Sequence, residues 1–162
     1  MKTQTDPSTV CCPEFDSKTW DEKTHVWKNK PFIKDSVMQF MHIPLNMGSV
    51  VTRMFGKIEK VKASPKNEEF LMLCYDPSPW KSELYMTVTK QVPDAENVTI
   101  SGTFLSKVFD GPYNAVPQWI KSMDAYVAKK GKTVKKYYFH YAYCPKCVKK
   151  YGHNYCIAFA EV

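Results

Sequence analysis

Apolar residues recur at Met47, Val50, Val51, Met54, Phe55, Ile58 and Val61, the spacing of an amphipathic helix with one buried stripe. A second stripe of the same period runs through Val116, Trp119, Ile120, Met123, Tyr126 and Val127. Alternating or continuously apolar runs predict strands over 36–42, 69–75, 83–89, 99–109, 136–143 and 155–162. Each helix thus follows one strand and precedes two. The predicted fold class is α+β: tandem duplicated β-α-β-β units (half-repeats 35–93 and 98–162) forming a mostly antiparallel sheet, with two long helices on one face. The seam between two such halves is a natural place for a concave pocket.

Punctuation supports the same division. Pro44 stops the first strand, and Asn46 is a candidate helix cap. Pro117 falls in the first turn of the second helix, and Gly131 sits where a C-terminal cap glycine belongs. Gly102, inside a strand, predicts a bulge or a close backbone approach. Residues 1–34 are polar and show no clean period, yet carry Phe15, Trp20, Trp27 and Phe32. A disordered tail would be poorer in such rings, so they predict an N-terminal extension packed on a single domain, 35–162.

With 162 residues, 44% of them hydrophobic, the chain is large enough for one real core. No run approaches the roughly 20 apolar residues a membrane helix needs, and the first residues lack the apolar stretch of a secretory signal. The expected setting is cytoplasmic, with no membrane partner. Part of the net charge of +7 sits in one run, Lys129, Lys130, Lys132, Lys135, Lys136, Lys146, Lys149 and Lys150. That run lacks Arg and no nucleic-acid motif accompanies it, so it reads as a solvated helix end and hairpin rather than a nucleic-acid surface. A homodimer through an exposed edge strand stays open.

The segment Gly102-Thr103-Phe104-Leu105-Ser106-Lys107-Val108-Phe109-Asp110-Gly111-Pro112-Tyr113, followed by a helix that carries Trp119 and ends at Lys130-Gly131, resembles the second half of GyrI-like (gyrase-inhibitory-protein-like) small-molecule-binding domains. The resemblance covers about residues 34–162. It implies the duplicated fold also seen in SOUL haem-binding proteins and in ligand domains of multidrug-sensing regulators. More narrowly, Cys11-Cys12-Pro13-Glu14-Phe15, Trp20-Asp21, His42-Ile43-Pro44-Leu45-Asn46, Ser78-Pro79-Trp80 and Cys144-Pro145-Lys146-Cys147 look like a subgroup usually labelled "hydrolase". The resemblance implies a domain that binds small apolar or cationic aromatic ligands, some members hydrolysing strained electrophiles in detoxification and others only binding. It also implies a pocket Glu on a late strand of the second half. That strand here has no Glu near its start, which leaves Glu83, on the equivalent first-half strand, as the available acid.

The expected reaction is therefore addition of water to an activated electrophile. Glu83 would aim and deprotonate the water, and Tyr113 or Tyr138 would donate to the leaving atom. His42, Trp80, Tyr85, Phe104, Trp119 and His140 are the candidate ligand-binding residues. A non-catalytic binding module and a gyrase-inhibitor-like protein-interaction module are the alternatives. There is neither a Gly-x-Ser-x-Gly elbow nor a Gly-rich phosphate loop.

No cofactor is required by this chemistry. The cysteines raise a separate question. Cys144-Pro145-Lys146-Cys147 has the spacing of half a zinc knuckle, and Cys11-Cys12 could supply the other half of a structural zinc site. This needs the N-terminal segment to fold back on the last hairpin. A dithiol redox pair and ordinary thiols are the competing readings. Cys74, in an apolar run, reads as core.

Overall fold

The computed structural model describes residues 12–162. Seven strands, β1 (Lys23–Phe40), β2 (Ile43–Pro44), β3 (Met72–Ser78), β4 (Lys81–Thr87), β5 (Glu96–Asp110), β6 (Lys136–Tyr141) and β7 (Tyr155–Glu161), accompany three helices, α1 (Met47–Lys60), α2 (Val116–Lys129) and α3 (Pro145–Tyr151). Sheet order is β2-β1-β4-β3-β6-β7-β5, and β1 also pairs with β5. The mostly antiparallel sheet therefore closes into a barrel, and the helices lie outside it rather than on one face of an open layer.

Strand register shows how steeply the strands run. Ser36 faces Glu83, which faces Tyr75. The β3–β6 seam aligns Cys74 with Phe139. Beyond it Tyr138 faces Phe159, Phe159 faces Ser106, and Ser106 faces Lys23. The circuit returns to β1 at Lys23, far from Ser36, and such an offset tilts every strand against the barrel axis.

Side-chain alternation divides the hydrophobic residues into an inner and an outer set. Phe32, Leu73, Tyr85, Phe104, Tyr138, Ile157 and Phe159 point inward and form one buried cluster. The Trp27 ring packs against Phe104, Phe159 and Phe32, with centroids 4.4, 5.5 and 6.1 Å away. Outward, Ile33, Val37, Leu84 and Met86 receive Val50, Met54 and Ile58 of α1. Leu105, Ala158 and Ala160 receive Met123 and Val127 of α2. Each such fully buried apolar side chain contributes about 1.5–3 kcal/mol, which is why the two helical stripes fix the helices so closely.

Residues 23–34 depart from the sequence reading. They are not an extension laid on the body but the first part of β1, paired with β5. Their outward face meets solvent, leaving Lys23, Lys28 and Asn29 exposed, and a register shift between Trp27 and Lys30 interrupts the alternation. Asn29 takes φ +49° at this bulge, where its N–H donates to Ser101 Oγ at 2.8 Å, and the neighbouring pair Trp27–Gly102 puts Gly102 at φ +151°. A side chain at Gly102 would meet the Glu161 carboxylate and the Phe104 ring, both 3.3 Å from the added Cβ. The predicted connection 144–154 contains α3, opened by Pro145 at its first position and closed by Gly152 at φ +73°. Asn46 stands at the start of α1, but its Oδ1 accepts from Met38 N–H (2.8 Å) and so braces the β1–β2 hairpin instead of capping the helix.

The expected hollow between halves is filled by the inward rings. A depression of about 340 Å³ lies between Pro31, Val88, Lys90, Asn97 and Thr99, and includes none of the candidate site residues.

Candidate functional site

Glu83 and Tyr85 are two residues apart on β4 and so project into the same end of the barrel. The Tyr85 hydroxyl donates to Glu83 Oε2 at 2.6 Å. Lys34 Nζ lies 3.3 Å from Glu83 Oε1, and Lys81 Nζ 3.9 Å from it. The Glu83 side chain retains 14% of its exposure, so it sits at a rim and not in bulk solvent. Burial pushes its pKa up, but the Tyr85 and Lys34 hydrogen bonds and the Lys34 and Lys81 charges outweigh that and leave the carboxyl below its ordinary range. The structure thus supplies Glu83 with cationic partners in Lys34 and Lys81.

Tyr138 joins this group. Its ring stands edge-on to Tyr85 with centroids 5.8 Å apart, and Tyr75 lies 5.9 Å away. Burial, then the Glu161 and Glu83 charges, raise its pKa to about 12, so its hydroxyl carries a proton at neutral pH. Burial and the Glu83 carboxylate push Tyr85 the same way. Lys136 Nζ sits 3.9 Å from the Tyr75 ring centroid and 4.9 Å from that of Tyr138. The rim therefore gathers Glu83, Glu161, Lys34 and Lys136 around three tyrosines. Lys34, Lys136 and Glu161 were missed in the sequence. Period-two alternation along Ile157, Phe159 and Glu161 was the available signal for the last of them.

The other candidates lie apart. Phe104 is fully buried among the inward rings, 6.1 Å from Tyr138. Trp80 is exposed on the β3–β4 turn and packs edge-on to Phe40 at 5.6 Å. Met38, Phe40 and Trp80 together leave an exposed apolar lip beyond Lys81 and Glu83. His42 is exposed in the hairpin turn at φ +66°, its Nδ1 3.6 Å from Asp76 Oδ2. Tyr113 is exposed at the entry to α2, against Tyr141 at 5.2 Å. Trp119 stacks on Phe109 at 5.6 Å, outside the barrel. His140 is buried at the thin β3–β6 seam, where its Nδ1 accepts from Met72 N–H at 2.9 Å. It is a clamp between two strands, and burial drops its pKa to about 4.

A serine–histidine pair also appears. His25 Nε2 lies 2.8 Å from Ser106 Oγ. Ser106 is fully buried and its hydroxyl donates to the Trp20 carbonyl at 2.6 Å. With its proton engaged and no access to solvent, this hydroxyl bridges the chain start to β5 and is not an available nucleophile.

The cysteines converge elsewhere. The sulfurs of Cys12, Cys144 and Cys147 all lie within 4.8 Å of one another, close enough to hold one metal ion. Cys11 lies outside the described residues. Cys74 and Cys156 are buried in the core, and burial pushes both thiols up in pKa, Cys74 to about 12.

No helix among the described residues is long and apolar enough to cross a membrane. No curated protein matches the chain. The family model described as "Bacterial hydrolase" matches residues 2–162, and the chain belongs to that family.

Proposed function

We propose that the barrel rim around Glu83 is a hydrolytic site for small apolar electrophiles. The observation that carries this reading is the shielded Glu83 carboxylate, held by the Tyr85 hydroxyl at 2.6 Å and by Lys34 at 3.3 Å, beside a protonated Tyr138. A fixed carboxylate aims a water, and a neutral phenol donates to a leaving atom. The water oxygen bonds to the electrophilic carbon, one water proton passes to Glu83, and the carbon–heteroatom bond breaks. Tyr138 protonates the departing heteroatom and is restored by the proton that Glu83 holds, so the net change is addition of water.

The electrostatics narrow the substrate. A carboxylate held below its ordinary pKa is a weak base, so the carbon must already be activated, as in a strained ring or an activated ester. The Met38, Phe40 and Trp80 lip offers an apolar landing surface beside the rim. Lys34 and Lys81 already neutralise Glu83, which argues against the cationic ligand that the sequence left open. Tyr113, the other candidate donor, is separated from this cluster.

The pairing pattern supports kinship with duplicated GyrI-like domains. β1–β4 corresponds to β5–β7, β3–β4 to β6–β7, and β1–β5 and β3–β6 join the halves as a twofold repeat would. On this reading the domain serves detoxification.

The test uses styrene oxide and 4-nitrophenyl acetate as probes. Glu83→Gln is expected to lower kcat about 100-fold or more with an unchanged circular-dichroism spectrum, whereas Tyr113→Phe keeps wild-type turnover. The wild-type rate should persist as pH falls past 4.5, the carboxyl's ordinary value. Wild-type turnover by Glu83→Gln removes the rim from catalysis.

A further inference from the structure

We propose that Cys12, Cys144 and Cys147 bind a zinc ion that fastens the start of the described chain across one end of the barrel. The three sulfurs come from two distant segments. Cys144 immediately precedes α3, and Cys147 lies in its first turn with its side chain buried. Cys12 reaches them from the other end of the sequence. In a tetrahedral zinc–thiolate site, bonds of about 2.3 Å place sulfurs about 3.8 Å apart, so a spread within 4.8 Å needs little adjustment.

The surroundings match a thiolate centre. The Cys144 N–H points at Cys12 Sγ, 3.4 Å away, and a backbone donor of this kind stabilises charge on a metal-bound sulfur. Three thiolates and one Zn²⁺ leave a charge of −1, and α3 carries Lys146, Lys149 and Lys150. Soft sulfur ligands in this number favour zinc over hard cations. Three thiolates leave one position of the tetrahedron for a further ligand.

The clip has something to hold. Tyr151 Oη donates to the Cys12 carbonyl at 3.0 Å, and Phe15 N–H donates to Tyr143 Oη at 2.9 Å. Tyr143 stacks on Tyr151 with centroids 4.5 Å apart. Beyond this anchor the chain delivers Phe15 and Trp20 to the inward cluster, Trp20 meeting Phe159 edge-on at 5.9 Å. The Ser106 hydroxyl then ties Trp20, and Asp21 Oδ1 accepts from Val108 N–H at 3.0 Å. Residues 12–21 have no regular strand or long helix of their own, so a metal bond set supplies the fixed point that their few backbone contacts do not.

The experiment titrates Co²⁺ into the full-length, reduced, metal-stripped protein. The expected result is a thiolate-to-cobalt charge-transfer band saturating at one equivalent and displaced by Zn²⁺. Cys147→Ser and Cys144→Ser should each weaken binding at least tenfold. Zinc loading should raise Tm by about 10 °C. It should also protect backbone amides of residues 15–21 from hydrogen exchange more than those of β6 and β7. Absence of a charge-transfer band, or a stoichiometric Cys12 disulfide in the native protein, overturns the site. Metal binding with unchanged exchange over 15–21 overturns the fastening role.

Discussion

Phe159→Ala is expected to destabilise the protein by about 3–5 kcal/mol, read as a fall in the urea midpoint at unchanged slope. Phe159 is fully buried, and its ring meets three others: Trp27 at 5.5 Å, His25 at 5.7 Å and Trp20 at 5.9 Å. Its neighbours belong to β1 and to the segment before it, so they cannot collapse into the void without breaking the β1–β5 and β5–β7 ladders. The cost therefore includes the cavity as well as the lost apolar transfer. Domains of this size have about 5–15 kcal/mol in total, so the variant should be marginal at 37 °C. A loss below about 1.5 kcal/mol would mean that the barrel interior is loosely filled, and would reopen a deep pocket at the seam.

Stability is expected to fall by roughly 3 kcal/mol between pH 6.5 and 4 through His140 alone. Its folded pKa is about 4 against an ordinary 6.5, because burial penalises the imidazolium; the Met72 backbone contact offsets only part of this. Below pH 6.5 the unfolded chain takes up a proton that the folded protein refuses. The contribution is complete above 6.5, declines as pH falls, and is exhausted once the folded state also protonates near 4. His25, lowered first by burial and then by Lys30, adds in the same sense. Asp35, Glu83 and Asp110 are all held below their ordinary values despite desolvation. They extend the decline to lower pH, each losing its share as pH drops through its folded pKa. In His140→Gln the amide oxygen can still accept from Met72 N–H but does not titrate. Urea midpoints from pH 7 to 4 should then be flatter than in wild type. Equal slopes would remove His140 from the acid response.

How much was legible depends on whether the signal was local. The first helix was expected over 47–61 and forms over Met47–Lys60; the second was expected over 115–130 and forms over Val116–Lys129. A 3.6-residue stripe facing a core is written within one stretch of chain. Glu83 and Tyr85 were both named and, two apart on a strand, share a face, but the donor expected beside Glu83 was Tyr113 or Tyr138 rather than Tyr85. The start of β1 was not legible, since one of its faces is solvated and a bulge breaks its period. Nor was α3, although Pro145 and Gly152 bracket it; its seven residues are too short for a stripe. The cysteine spacing named three sulfurs that the structure brings together.

The sequence by itself determined α1, α2 and most of the strands, and it placed Glu83 and Tyr85 on one strand. Only the tertiary structure decided that the sheet closes. It also decided that the expected hollow is packed with aromatic side chains, that Lys34 pairs with Glu83, and that Lys136 and Glu161 gather around Tyr138 at the same rim. The physical reason is that helix stripes and strand faces are periodic within a segment, whereas barrel closure depends on the register between strands far apart in the chain, and a rim exists only after that register is set.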